Sequence, residues 1–375
     1  MTIENKVKSA TWDALEKEQR PLTLKELHQL SGLLEADQTR FHAAWPGLPT
    51  AVRQQVLHMM VKQAEADFEL DFGFPFRIAL EDPEPAIRAL AIEGLWEDED
   101  IRLVPRLIAL LTQDPDSAVR AAAAQTLGHF ILLGELKKLL PSIFEKAYQA
   151  LHTVYHTPTE ALEVRRRALE AIAYTDNSAV IAMIEESYQD PEAAMRQSAV
   201  FAMGRSADKR WTEIVMHELQ SVTPAMRYEA TRACGELELR AAVPALTELV
   251  EDVAPEVQQM ALWALGQIGG REARKLLKRY LNSDDEALRT TAEEALDTLE
   301  FYHGDLKSFF GPPAEFESYQ DEAEAWRIGP ITLDDDDQDE DALLDDLDLD
   351  WDDEDDNLDD LLDDEDEDDD DLWYT

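Results

Sequence analysis

One register runs through most of this chain. Aligned on Arg88, Arg120, Arg165, Arg196, Arg227, Gln258 and Arg289, seven stretches superpose at steps of 32, 45, 31, 31, 31 and 31 residues. The residue before each anchor is apolar: Ile87, Val119, Val164, Met195, Met226, Val257, Leu288. Three after it comes alanine every time, at Ala91, Ala123, Ala168, Ala199, Ala230, Ala261 and Ala292. Seven after it stand Leu95, Leu127, Ile172, Met203, Cys234, Leu265 and Leu296. Positions spaced i, i+4, i+8 form one stripe of an α-helix. A unit of this length holds two helices of about a dozen residues with their turns, and neither helix hides its stripe alone. Stacking is therefore obligatory, and a small residue six after the anchor (Gly94, Thr126, Ala171, Ala202, Ala233, Ala264, Ala295) lets neighbours approach.

The turn before the anchored helix is written as Asp82-Pro83, Asp114-Pro115 and Asp190-Pro191, a cap residue followed by proline. Pro224 and Pro255 give the same signal three before their anchors. Upstream of each turn lies another apolar-periodic run, such as 104–111 or 243–250, which is the first helix of the unit.

This pattern, Asp-Pro and then apolar-Arg-x-x-Ala-x-x-x-apolar-Gly, closely resembles the HEAT repeat, in its bacterial form the phycobilisome-lyase HEAT-like repeat. The resemblance covers residues 77–300. It implies an all-α fold, an α-α superhelix or HEAT-like solenoid of about seven to eight helix pairs. Such solenoids serve mostly as scaffolds and adaptors, and a few branches are enzymes. Gln258 departs from the arginine, and Trp96, Ala173 and Asp297 depart from the glycine found at Gly128, Gly204, Gly235 and Gly266.

The organisation expected is an N-terminal helical cap over 1–76, the solenoid over 77–300, a capping strap over 301–331 and an acidic tail over 332–375. Val52-Arg53, with Val56 at the alanine position, fits a degenerate eighth copy. Phe68, Phe72, Phe74 and Phe76 are expected to pack beneath the cap. The stretch from Gly128 to Arg165 is 14 residues longer than its neighbours, and an extended first helix is expected over 135–156.

The formal charge of −48 is concentrated: 27 Asp or Glu fall between Asp334 and Asp371, leaving −21 on the remainder. That density prevents collapse, so the tail is expected to be disordered in isolation. Trp351, Leu361, Leu362, Trp373 and Tyr374 interrupt the acid, a mixture that suits binding a basic, partly apolar partner. Attraction to nucleic acid or anionic lipid is not expected. No apolar run reaches membrane-spanning length, so no membrane partner and a cytoplasmic location are expected. The single cysteine, Cys234, reads as core.

No Gly-rich phosphate loop, nucleophile motif or zinc-like spacing appears, so no catalytic residue, metal or cofactor is expected. His152 and His156 share a helix face, but with no second such pair they read as solvated or hydrogen-bonded rather than as metal ligands. The resemblance raises iron-binding HEAT-repeat hydroxylases, which carry repeated His-Glu pairs; this chain has only His217-Glu218. The repeated arginines read as a structural ladder bonding turn carboxylates such as Asp190 or Asp252.

Opposite the apolar stripe of the second helix lie the positions one and five after the anchor. They carry Arg166 and Glu170, Gln197 and Phe201, Tyr228 and Arg232, then Gln259 and Trp263. The resemblance places second helices on the concave, partner-binding side. Arg166, Phe201, Tyr228, Arg232 and Trp263 are therefore the expected protein-binding residues, being types that dominate interface hot spots. The function expected is a non-catalytic adaptor. The alternatives are a lyase-like enzyme acting on a pigment-protein and a regulator whose tail mimics nucleic acid.

Overall fold

The computed structural model describes residues 7–20 and 22–303, and among these every regular element is helical. Three short N-terminal helices, α1 (Ser9–Trp12), α2 (Leu24–Leu27) and α3 (Glu35–Ala44), precede the longer α4 (Thr50–Ala66). Seven helix pairs follow: α5 (Gly73–Ala79) with α6 (Pro85–Gly94), α7 (Leu103–Gln113) with α8 (Ser117–Glu135), α9 (Pro141–His156) with α10 (Leu162–Ile172), and α11 (Ser178–Tyr188) with α12 (Ala193–Arg205). The last three are α13 (Thr212–Glu218) with α14 (Pro224–Glu236), α15 (Val243–Leu249) with α16 (Pro255–Ile268), and α17 (Arg271–Tyr280) with α18 (Glu286–His303). All 21 residues of the apolar stripe are buried, from Ile87 to Leu296.

The second helices form a continuous stack from α4 through α6, α8, α10, α12, α14 and α16 to α18, whereas the first helices touch one another sparsely. The second helices therefore make the more closely packed layer, the inner one by that definition, and the first helices the outer. The close layer rests on glycine. A β-carbon at Gly128, Gly204, Gly235 or Gly266 would stand 3.0, 2.8, 3.0 or 2.9 Å from the α-carbon of Ala171, Ala233, Ala264 or Ala295. Each of those alanines is the small residue of the next unit. The junctions where Val61, Trp96 or Ala173 replaces the glycine are the less extensively packed ones.

The anchors form a second ladder, at the turns. Arg88, Arg120, Arg196, Arg227, Gln258 and Arg289 each donate to the backbone carbonyl six residues upstream, at Asp82 (2.7 Å), Asp114 (2.6 Å), Asp190 (2.6 Å), Ser221 (2.8 Å), Asp252 (2.5 Å) and Ser283 (2.7 Å). Arg165, after the lengthened turn, donates to the Tyr155 carbonyl instead, at 2.9 Å. Three guanidinium groups also grip an acid of the next turn with two nitrogens: Arg88 on Asp114, Arg120 on Glu160 and Arg227 on Asp252, at 2.7–3.0 Å. Gln258 faces a turn with Ser283 in that place, and an amide N–H is all its remaining bond requires. The ion pair expected at Asp190 does not form: Arg165, the anchor one unit before it, is turned to the Tyr155 carbonyl, and Arg196 takes only the backbone carbonyls of Asp190 and Pro191. Upstream, Arg53 is buried, donates to the Leu48 carbonyl at 3.0 Å and brings Nε within 2.9 Å of Asp82.

Two expectations are corrected. The long insertion does not form one extended first helix over 135–156. The first helix is extended, 16 residues in α9, but starts only at Pro141; the rest of the insertion lengthens α8, whose Phe130, Ile131 and Leu133 carry apolar contacts onward, and a turn with Lys137 at φ 57° separates the two. Among the four phenylalanines, Phe72 and Phe76 are buried and Phe74 packs against the core, but Phe68 is 93 % exposed because it lies in the turn after α4 rather than on a packed helix face. Cys234 is fully buried, and burial pushes its thiol pKa up to about 12. The strap beyond residue 303 and the tail, with Trp351, Leu361, Leu362, Trp373 and Tyr374, lie outside the described residues.

Candidate functional site

The inner faces of α10, α12, α14 and α16 bring most of the expected surface residues into one side-chain cluster. The Arg232 guanidinium lies 3.5 Å from the centre of the Phe201 ring, and Arg205 approaches the same ring at 5.2 Å. A cation held over an aromatic face is attracted by the ring quadrupole. Phe201 is therefore capped by arginines rather than open, the outcome of close spacing between adjacent second helices. Trp263 is half-buried, with its ring where a β-carbon of Gly235 would stand. Tyr228 is half-buried, and burial raises its hydroxyl pKa. Arg166 donates to Ser198 Oγ at 2.9 Å and to Glu163 at 2.6 Å.

Five further residues belong to the cluster, Tyr174, Ser198, Arg205, Glu229 and Glu236. Arg232 bonds Glu229 and Glu236, both at 3.2 Å, Arg205 donates to the Tyr174 hydroxyl, and Ser198 donates to Glu170 at 2.5 Å. Burial raises the pKa of Glu229 and Glu236, outweighing the arginines that oppose it. Among the described residues neither Arg232 Nη2 nor Glu236 Oε2 has a hydrogen-bond partner, although both are buried. An unmet buried polar atom costs about 1–3 kcal/mol. These five stand two or nine after their anchors, so continuing the row by one turn and widening it by one residue would have found them.

At the N-terminal end the same face forms a cleft between α4 and α6, lined by Gln54, Gln55, His58, Ala89 and Leu90. Its chemistry is amide and alkyl rather than ionic.

On the outer layer, Glu218 of the His217-Glu218 pair accepts from the Tyr188 hydroxyl at 2.5 Å, which together with burial lifts the tyrosine pKa to about 12. That carboxylate ties two first helices together. Among the described residues no three His, Cys, Asp or Glu side chains gather to share a metal ion, and no helix is long and apolar enough to cross a membrane.

A stack of helix pairs joined by glycine contacts and an arginine-to-turn ladder defines an α-α repeat protein. The family model for HEAT repeats matches residues 75–162 and 212–297, and the chain is a HEAT-repeat protein. Deoxyhypusine hydroxylase of Drosophila melanogaster is 24 % identical over 128 residues, 34 % of this chain and 42 % of that protein's length. Among solved structures, human deoxyhypusine hydroxylase in complex with glycerol shares 17 % identity at a TM-score of 0.32, covering 71 % of this chain and 97 % of that one. The complex of CpcE and CpcF of phycocyanin lyase from Nostoc sp. PCC7120 shares 19 % identity at 0.44, covering 72 % and 96 %. The Kap95:Nup1 complex shares 14 % at 0.41, covering 76 % and 44 %.

Proposed function

We propose that this chain is a non-catalytic protein-binding adaptor that holds a partner against its second-helix face, while the acidic segment 334–371 engages a basic region of the same or another protein. The observation that carries the reading is the cluster on α10, α12, α14 and α16. Aromatic rings and arginines, the residue types of interface hot spots, are set there beside buried polar atoms with unmet bonding capacity. The charge around the cluster supports a peptide rather than a polyanion, because Arg166, Arg167, Arg205 and Arg232 are offset by Glu163, Glu170, Glu229 and Glu236. Cytoplasmic residence belongs to this proposal.

Affinity purification of the full chain from its native cells, beside a chain ending at residue 331, tests both halves. A partner retained by both and lost on substitution at the cluster supports the inner face. Recovery of every partner by the shorter chain removes the acidic segment from the proposal. A lyase-like or hydroxylase-like activity is the competing reading that the CpcE–CpcF and deoxyhypusine hydroxylase likenesses raise, and turnover of a pigment-protein or hypusine precursor by the purified chain would replace the adaptor proposal.

A further inference from the structure

Helix α9 carries a file of aromatic side chains at four-residue spacing, Phe144, Tyr148, His152 and His156, so they stand one above the next on a single face. Phe144 stacks on Tyr148 and Tyr148 on His152, each pair within 24° of parallel at 6.1 and 5.9 Å. The Tyr148 hydroxyl accepts from Asn177, which caps the next first helix at Val180. The His152 ring is thus held from below by a stack that is itself anchored. Above it, His152 and His156 bring their Nε2 atoms to 3.2 Å.

We propose that His152 and His156 form a two-imidazole chelate for a borderline divalent cation such as Zn2+ or Cu2+. The argument is geometric. A metal about 2.0–2.1 Å from each nitrogen sees two donors 3.2 Å apart at an angle of about 100°, between the right angle of a square-planar site and the tetrahedral angle of zinc. The chelate needs no folding step beyond the helix. The same separation serves a direct hydrogen bond only when the two rings adopt opposite tautomers. A metal takes both in the one tautomer that leaves Nδ1 protonated. His156 is exposed and His152 half-buried, so a cation reaches them from solvent. Glu160, the nearest carboxylate in sequence, is gripped by Arg120 and by its neighbour's backbone N–H, so the remaining coordination positions fall to water. The site lies on the outer layer, away from the inner-face cluster.

The test uses the full-length chain, stripped with chelator and titrated with Zn2+ alone and, separately, with Cu2+ alone. The expected result is one equivalent bound ahead of all others, its affinity falling at least about tenfold in His152→Ala and in His156→Ala, at the low end of what disturbed ligation costs. The carboxylates of 334–371 are present in every variant and cancel in the comparison. Electron paramagnetic resonance of the first Cu2+ equivalent should show coupling to two nitrogens, a signature those carboxylates cannot give. Equal titrations of the wild-type chain and the double variant, or a copper spectrum with oxygen ligands only, would overturn the proposal.

Discussion

Gly235 on α14 lies against Ala264 on α16 so closely that a β-carbon at the glycine would stand 3.0 Å from the alanine's Cα and 2.7 Å from the Trp263 ring. The glycine is buried in mid-stack, where its backbone freedom has no use, and what it supplies is the absence of a side chain. On an isolated helix, glycine to alanine would gain close to 1 kcal/mol from propensity. Here the added methyl meets backbone, which cannot rotate away.

Gly235→Ala and Gly266→Ala should therefore each destabilise the chain by about 1–3 kcal/mol, the usual range for overpacking. Chemical denaturation of the two variants checks this. Unchanged or increased stability would show that the layer of second helices can spread without loss.

Arg227 and Arg196 occupy the same position in successive units but do different work. Arg227 holds Asp252 through two bonds at 2.7 Å with both side chains largely buried, whereas Arg196 bonds only backbone carbonyls. Replacing Arg227 by glutamine strands a buried carboxylate, so a loss of about 3–5 kcal/mol is expected. Arg196→Gln should stay within about 1 kcal/mol of wild type, because an amide N–H reaches the carbonyl as Gln258 already does. Denaturation midpoints for the pair decide it, and equal losses would refute the division of labour.

The periodicity made the fold legible because a repeat writes the same packing problem seven times, and the stripe, the invariant alanine and the glycine are its repeated solution. What the spacing hid was anything solved once. The 14 extra residues before Arg165 could have gone to either helix and went to both: the continued apolar run at Phe130, Ile131 and Leu133 lengthened α8, and the remainder lengthened α9 from Pro141. The surface row was only partly legible. Counting one and five after the anchor found Phe201, Arg232 and Trp263, but capping of Phe201 by Arg232 depends on the distance between neighbouring helices, which no within-helix periodicity encodes.

Acid should act on two sets of carboxylates with opposite sign. Arg227 holds the Asp252 pKa down, while hydrogen bonds from Arg88 and Arg120 depress Asp114 and Glu160 in spite of their burial. Groups depressed in the folded chain stabilise it above the ordinary carboxylate range near pH 4, and that contribution is lost as pH falls through their folded values. Asp252→Asn should therefore melt below wild type at pH 7, and the gap should close as the buffer is taken below about pH 4. Glu229 and Glu236, raised by burial, do the reverse: their penalty is absent below about pH 4 and grows as pH rises through their folded values. Glu236→Gln should raise the melting temperature at pH 7 and leave it unchanged near pH 4. Thermal melts across that range report both signs, and parallel curves for wild type and variants would contradict them.

Tyr228 and Trp263 sit on neighbouring second helices but offer unequal tests of the inner face. Trp263 packs against the core over Gly235, so truncating it disturbs the stack as well as the surface. Tyr228 is half-buried outside that core, and its loss removes ring area without opening a cavity between helices. With a partner recovered by the full chain, Tyr228→Ala should weaken binding about tenfold or more, the scale of a hot-spot residue, while the melting temperature moves by no more than about 2 °C. Trp263→Ala should lower both. Titration calorimetry and thermal melts on the two variants separate the contributions, and a Tyr228→Ala chain that binds as tightly as wild type would take this part of the face out of the interface.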